Sequence, residues 1–269
     1  MDTHTIIVLT LIGLFAGGFG GLLGIGGSII FIPAATILIK PDQQVYQAAA
    51  MILNVFVAGT AALKHYRKGA IDHKVIIRIA PFAVTMVIIG VLVSNAVNGL
   101  VLLRIFGVLA WLIAINEFRI LLRGKPEETT PAQEPSPRTS LPYMGGIGSA
   151  MGFLGGLLGI GGGVIAVPLL QFVARFPIRM SITTAACVTF PMALFGAILK
   201  NATLHQLTTQ DGQPLSAWDS LAIAAALVPT AIIGSWLGAT FLHRLPIPAI
   251  RAAFACLLLF AGFRMTGVI

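Results

Sequence analysis

The chain has 269 residues, of which 57% are hydrophobic and 10% are charged, with a formal net charge of +8. Soluble domains carry about 25% charged residues, so this composition and the mean hydropathy of +0.94 exclude a soluble globular protein. The lysines and arginines lie between apolar runs, as the positive-inside rule requires of membrane proteins, and they form no basic patch with interleaved aromatics, so nucleic acid is not an expected partner.

Eight apolar runs follow one another along the chain. Most are long enough to cross a bilayer core, which requires about 20 apolar residues in a helix. The runs occupy residues 5–39, 45–63, 79–97, 99–118, 142–174, 181–199, 217–242 and 246–263. The sequence therefore predicts an all-α polytopic membrane protein.

A glycine-rich phrase interrupts the first run and returns in the fifth. The letters GGLLGIGG occupy residues 20–27 and again residues 155–162, and a proline follows each copy, Pro33 and Pro168. Glycine costs a helix about 1 kcal/mol relative to alanine, and proline removes a backbone hydrogen bond. Each copy therefore predicts a helix that unwinds, at residues 24–27 in the first copy, and restarts near Ser28.

The repeated phrase opens two halves of similar size. Residues 49–64 resemble residues 185–200, and residues 103–119 resemble residues 250–264. Between the halves, residues 123–140 contain four prolines and no large hydrophobic residue, a composition typical of disordered linkers. We expect a first membrane repeat at 1–122, a linker at 123–141 and a second membrane repeat at 142–269.

The distribution of charge favours inverted repeats. If all eight runs cross the membrane, the 17 lysines and arginines divide 10 to 7 between its sides. If each first run instead folds back at its glycines, each half crosses three times, and the division becomes 13 to 4, with Lys40, Arg104, Lys200 and Arg264 in the minority. The positive-inside rule favours the second division. We expect inverted repeats, each with a glycine-broken first segment and about three transmembrane helices, and a cytoplasmic linker.

Two interpretations of the glycine phrase stand side by side. Small residues four apart, such as Gly17 with Gly21 and Gly152 with Gly156, let transmembrane helices pack closely. This accounts for the first glycines of each phrase but not for the later pairs before a proline. Broken helices in transporters instead aim their N-termini at anions near the midplane. On this interpretation the amides of residues 27–29 and 162–164 are free donors, and the site comprises Ile25, Gly26, Gly27, Ser28, Ile29, Ile160, Gly161, Gly162, Gly163 and Val164.

The duplicated pattern G-x-G-G-x(5)-P, together with KHYRKGAID at residues 64–72, resembles the TauE/SafE sulfite exporter family, also called TSUP, the 4-toluene sulfonate uptake permease type of anion transporter. The similarity covers nearly the full length, with the linker outside it. It implies export or exchange of sulfite or small organosulfur anions (sulfonates such as sulfoacetate) across a bacterial inner membrane. Ser28 stands where the second copy has Gly163, and its hydroxyl would either donate to a sulfonate oxygen or cap the restarted helix.

Polar side chains in the later runs are further candidates. Asn54 and Thr189 align at an offset of 135; Asn54 would line the site or form an interhelical hydrogen bond, whereas a threonine can bond to its own helix backbone. Basic side chains near helix ends snorkel to the interface or attract an anion. These secondary candidates are Lys64 and Lys200, which end matching runs, and Arg104 and Arg251, which lie early in theirs.

The leading functional hypothesis is a secondary transporter of a small anion, and the alternative is a channel-like pore for small inorganic anions. The sequence has no P-loop for ATP and no cluster of catalytic or metal-ligating residues inside the runs. We therefore expect no enzyme activity, no cofactor and no metal, and the expected partners are the anion and membrane lipid. The identity of the anion, the coupling ion, the direction of transport and the oligomeric state stay open.

Overall fold

The computed structural model describes residues 2–39, 43–67, 72–122, 138–208, 213–241 and 247–266. Its α-helices within these residues are α1 (Thr3–Leu23), α2 (Ser28–Leu38), α3 (Gln43–Arg67), α4 (His73–Ala96), α5 (Gly99–Leu122), α6 (Leu141–Leu158), α7 (Gly163–Phe172), α8 (Ile178–Thr203), α9 (Ala217–Phe241) and α10 (Ile247–Thr266). Among the described residues, seven helices are long and apolar enough to cross a membrane, while α2 and α7 are shorter apolar helices. The predicted all-α membrane fold is confirmed. Residues 123–137 of the predicted linker lie outside the described residues.

Both copies of the glycine phrase break their helix, as predicted. Residues 24–27 separate α1 from α2, and residues 159–162 separate α6 from α7. A residue with a Cβ atom loses about 1–2 kcal/mol in the left-handed backbone conformation, so these positions require glycine. The glycines with positive φ are Gly24 (65°), Gly26 (81°), Gly159 (73°), Gly161 (70°) and Gly162 (70°).

The chain reverses direction at each break. A Cβ atom on Gly27 would lie 3.3 Å from the carbonyl carbon of Ala16, and one on Gly162 would lie 2.6 Å from the carbonyl oxygen of Met151. In a continuous helix, residues so far apart in sequence would be separated by about 16 Å. The short helices α2 and α7 therefore return alongside α1 and α6 as helical hairpins.

Helices of one half pack mainly against helices of the other. Helix α1 lies against α9, α6 lies against α4, α3 lies against α8 and α5 lies against α10. Small residues bring these helices close, since a Cβ atom on Gly21 would lie 2.6 Å from Cα of Ser235, and one on Gly152 would lie 2.9 Å from Cα of Ala83. The close-packing interpretation thus holds for the early glycines, and the two halves interlock.

The corresponding helices α3 and α8 run antiparallel. A Cβ atom on Gly196 of α8 would lie 3.1 Å from Sδ of Met51, near the start of α3. A Cβ atom on Gly59, farther along α3, would lie 3.0 Å from Cδ2 of Phe190, which precedes Gly196 on α8. The order of contacts is therefore opposite along the two helices.

Candidate functional site

The two breaks touch each other in the middle of the helix bundle. A Cβ atom on Gly163 would lie 2.8 Å from Cα of Ile25 and 2.9 Å from the carbonyl oxygen of Gly24. Both breaks also lie against Asn54, near the midpoint of α3. The structure thus brings together the residues predicted from the two phrases, and all of them are buried: Ile25, Gly26, Gly27, Ser28, Ile29, Ile160, Gly161, Gly162, Gly163 and Val164.

Asn54 connects the first break to the second. Its Nδ2 donates to Oγ of Ser28 at 2.9 Å and to the carbonyl oxygen of Gly159 at 3.4 Å. Its Oδ1 accepts a hydrogen bond from the backbone N–H of Ser28 at 3.2 Å. A Cβ atom on Gly26 would lie 2.5 Å from Oδ1 of Asn54, and one on Gly161 would lie 2.5 Å from Nδ2. Asn54 therefore both lines the breaks and forms the interhelical hydrogen bonds.

The expectation that all six amides are free is wrong for two of them in this conformation. The N–H of Ser28 donates to Asn54, and the N–H of Gly163 donates to the carbonyl oxygen of Gly161 at 2.9 Å because the backbone turns tightly there. Within the described part of the chain, the remaining four amides, those of Gly27, Ile29, Gly162 and Val164, have no hydrogen-bond partner. They are the donors that the N-terminal turn of a helix leaves unpaired.

The hydroxyl of Ser28 does not cap α2. No side-chain hydrogen bond caps the start of that helix, and Oγ of Ser28 accepts its hydrogen bond from Asn54. Gly163 has no side chain to do the same in the second half. The two breaks therefore differ in their polar contacts, and their backbones also differ at the residue before each short helix, where φ is −89° at Gly27 and 70° at Gly162.

Thr189, the counterpart of Asn54, carries an unpaired buried hydroxyl. Its side chain is fully buried, and Oγ1 has no partner among the described residues, so the expected bond to its own helix is not formed. Thr189 lies one helical turn before Met192, whose methyl group would lie 2.7 Å from a Cβ atom on Gly162. An unpaired buried hydroxyl lowers the stability of a protein by about 1–3 kcal/mol. The hydroxyl of Thr189 lies on α8, the helix that contacts the second break.

The basic candidates have different environments. Arg104 is exposed on α5, whereas the residues of both breaks are buried, and the side chain of Arg251 lies outside the described residues. Lys64 is half-buried near the end of α3, where Nζ donates to the carbonyl oxygen of Trp236 at 3.1 Å and to Oγ1 of Thr240 and lies 4.6 Å from the Trp236 ring. Lys64 thus matches the interfacial anchor that a lysine at a helix end predicts.

Lys200 does not snorkel, and that expectation is wrong for it. Its side chain is fully buried, because α3 and α4 enclose the end of α8. Nζ donates to Asn95 Oδ1 at 2.8 Å, to Ser94 Oγ at 3.0 Å and to Gln44 Oε1.

The sequence reasoning missed the residues around Lys200. Gln44, Gln47 and Asn54 are spaced by three and seven residues within one apolar helix, which places them on the same face. This row of polar residues is the sequence feature from which the polar cluster could have been predicted. Ser94 and Asn95 form a polar pair near the end of α4 and carry a weaker signal.

The comparisons with known proteins concern nearly the whole chain. The profile of the family described as sulfite exporter TauE/SafE matches residues 9–265. The probable membrane transporter protein MamO of Paramagnetospirillum magneticum is 25% identical over 97% of this chain, which spans only 44% of MamO. The probable membrane transporter protein YunE of Bacillus subtilis is 26% identical over 96% of both chains, and one from Haemophilus influenzae is 25% identical over 97% of both. The chain thus spans less than half of MamO but nearly all of the other two, and no solved structure matches it.

Proposed function

The chain belongs to the sulfite exporter TauE/SafE family, and we propose that it is a secondary transporter of sulfite or small sulfonate anions such as sulfoacetate. The relatives MamO and YunE are named probable membrane transporter proteins, which supports the transporter class. The family description supports sulfite as the type of anion.

The contact between the two breaks is the observation that carries the proposal. Gly163 at the start of α7 touches Ile25 just before α2, so two helix N-termini converge on one place. Each N-terminus carries a partial positive charge and unpaired N–H groups. The amides of Ile29 and Val164 and the hydroxyl of Thr189 are suitable donors for the oxygens of a small oxoanion.

Binding of an anion requires Asn54 to move. In this conformation Oδ1 of Asn54 accepts from the N–H of Ser28, the position that an anion oxygen would take at a helix N-terminus. We expect the anion to replace this amide oxygen as the two breaks separate, because a charge-assisted hydrogen bond is stronger than a neutral one. Asn54 would thereby couple occupancy of the site to the spacing of the breaks.

The inverted arrangement of the halves forms part of the proposal. The antiparallel course of α3 and α8 is that expected of equivalent helices related by an axis in the membrane plane. Helix α1 runs parallel to α9, since Gly13 lies against Leu227 and Gly21 against Ser235. We place the linker in the cytoplasm and the protein in the bacterial inner membrane, on the positive-inside division of charge.

A counter-flow assay on purified protein in liposomes tests the function. We expect labelled sulfite to enter faster when unlabelled sulfite is inside, because a carrier reorients faster when loaded. Sulfoacetate should compete with sulfite, and zwitterionic taurine should not. Sulfite flux without trans-acceleration would favour the channel-like alternative, and the absence of any sulfite flux or binding would refute both.

A further inference from the structure

A buried polar cluster lies between the end of α8 and the beginning of α3. We define the lysine cluster as Gln44, Gln47, Ser94, Asn95 and Lys200. The ammonium of Lys200 has three N–H donors, and three neutral oxygens accept them, from Gln44, Ser94 and Asn95. The hydrogen bonds of Lys200 are therefore satisfied.

The charge of Lys200 is not balanced. No carboxylate among the described residues forms an ion pair with Nζ, whose partners are all neutral. Removing an ammonium from water costs several kcal/mol even in real proteins, and replacing buried charged groups by apolar residues is often neutral or stabilising. A lysine in such a place does not serve stability alone, and intramembrane ionisable residues commonly mark ion pathways.

The lysine cluster reaches the second break through Gln47. Oγ of Ser94 donates to Oε1 of Gln47 at 2.7 Å, and Nε2 of Gln47 donates to the carbonyl oxygen of Leu157 at 3.2 Å, next to the last residue of α6. A Cβ atom on Gly159 would lie 2.9 Å from Cβ of Gln47. A chain of hydrogen bonds therefore runs from the ammonium through Ser94 and Gln47 to Leu157, two residues before the second break.

The lysine cluster is nonetheless a separate position from the breaks. Gln47 and Gln44 precede Asn54 by about two and about three helical turns on the same face of α3, which corresponds to roughly 10 and 15 Å along the helix. Lys200 lies in the last turn of α8, toward one end of the bundle. An anion at the breaks would reach that end of the bundle along the face of α3 that carries Gln44, Gln47 and Asn54.

We propose that Lys200 binds the transported oxoanion at a second position, between the glycine breaks and one face of the membrane. The proposal rests on the proposed transport function and extends it to a second site. The anion replaces Gln44 or Asn95 as acceptor at Nζ and balances the buried charge. Lys200 then passes the anion to the breaks, or receives it from them. Gln47 supplies polar groups between the two positions.

Substitutions at Lys200 and Lys64 test this inference, because the two lysines end corresponding runs in different surroundings. Sulfite binding to purified protein is measured by calorimetry at fixed pH and salt for the wild type, Lys200→Met, Lys200→Arg and Lys64→Met. We expect Lys200→Met to weaken sulfite binding tenfold or more, since hydrogen bonds to charged groups are the strong ones. Lys200→Arg should keep most of the affinity, and Lys64→Met should bind sulfite as the wild type does.

A second variant keeps the test decisive if Lys200→Met does not fold. Asn95→Asp places a carboxylate beside Nζ, whose distance to Oδ1 of Asn95 is 2.8 Å, and so occupies the ammonium in place of the anion. We expect it to weaken sulfite binding about tenfold, whereas Asn98→Asp, at an exposed turn, should not. Wild-type affinity in folded Lys200→Met or in Asn95→Asp overturns the second site. Absence of sulfite binding in the wild type would instead refute the proposed function itself.

Discussion

Asn54 and Ser28 are joined by two hydrogen bonds, one from Nδ2 to the serine hydroxyl and one from the serine N–H to Oδ1. The corresponding residues of the second half are Thr189 and Gly163, which form no such pair. The repeated sequence therefore gives two different sets of polar contacts: Asn54 is hydrogen-bonded at the first break, whereas the hydroxyl of Thr189 has no partner among the described residues. Substitutions of Asn54 and of Thr189 are therefore expected to have different effects.

Asn54→Asp should weaken sulfite binding at least tenfold, which corresponds to about 1.4 kcal/mol. The aspartate cannot donate to Ser28 or Gly159, and its charge repels an anion at the adjacent amides. Calorimetric titration with sulfite measures the effect, and Asn98→Asp provides the exposed control. Unchanged affinity in folded Asn54→Asp would remove Asn54 from the anion site.

Thr189→Val should preserve or raise thermal stability while it lowers sulfite affinity. The hydroxyl is buried without a partner among the described residues, so its removal relieves a desolvation cost. If the hydroxyl donates to the bound anion, the same change removes that hydrogen bond, and we expect a loss of about fivefold to tenfold. Equal affinities would mean that Thr189 does not contact the anion.

Gly26→Ala and Gly161→Ala should abolish sulfite transport in liposomes. Both glycines have positive φ, a conformation that costs a residue with a Cβ atom about 1–2 kcal/mol, and the added methyl group meets Asn54. The matched control is Gly146→Ala on α6, where an added Cβ meets no atom within 4 Å. Normal transport by both break variants would contradict the site assignment.

Gly152→Leu should reduce the thermal stability of the protein but not its affinity for sulfite. The added side chain meets α4 at Ala83, and overpacking of this kind costs about 1–3 kcal/mol. Thermal unfolding in detergent measures the loss, with Gly146→Leu as control. We expect the folded fraction to keep wild-type sulfite affinity; a selective loss of affinity at full stability would show that Gly152 does more than pack helices.

The inverted arrangement predicts that Asp2 and the linker lie on opposite sides of the membrane, whereas eight full crossings place them on the same side. The test introduces a cysteine at Asp2 or Glu128 after Cys187 and Cys256 have been replaced by serine. An impermeant maleimide applied to intact cells should label Asp2→Cys, and it should label Glu128→Cys only after the membrane is opened. Labelling of both in intact cells would exclude the inverted topology.

The fold follows from local features of the sequence to a large extent. The apolar runs predict the helices because each run is long enough to satisfy its own backbone in lipid. The breaks at residues 24–27 and 159–162 were also predictable, since glycine acts on the backbone of its own turn. The prolines do not mark the breaks, because Pro33 lies inside α2 and Pro168 inside α7. The spacing of Gly17 with Gly21 likewise identified a close helix contact, although not its partner α9.

The partners of the polar side chains could not be predicted in the same way. The hydrogen bonds of Lys200 join it to residues 105, 106 and 156 positions away. From the sequence, Lys200 could therefore not be distinguished from Lys64, which also lies near a helix end. The unpaired hydroxyl of Thr189 and the occupied amide of Ser28 also depend on which helix lies opposite.

The membrane location, the duplication and the positions of the helix breaks follow from the sequence alone, because apolar length and glycine conformation act within single segments. The contact between the two breaks, the hydrogen bonds by which Asn54 joins them and the burial of Lys200, in contrast to Lys64, are properties of the folded bundle. Those relationships arise from packing between helices of opposite halves, and burial and hydrogen bonding are set by the neighbours that packing supplies.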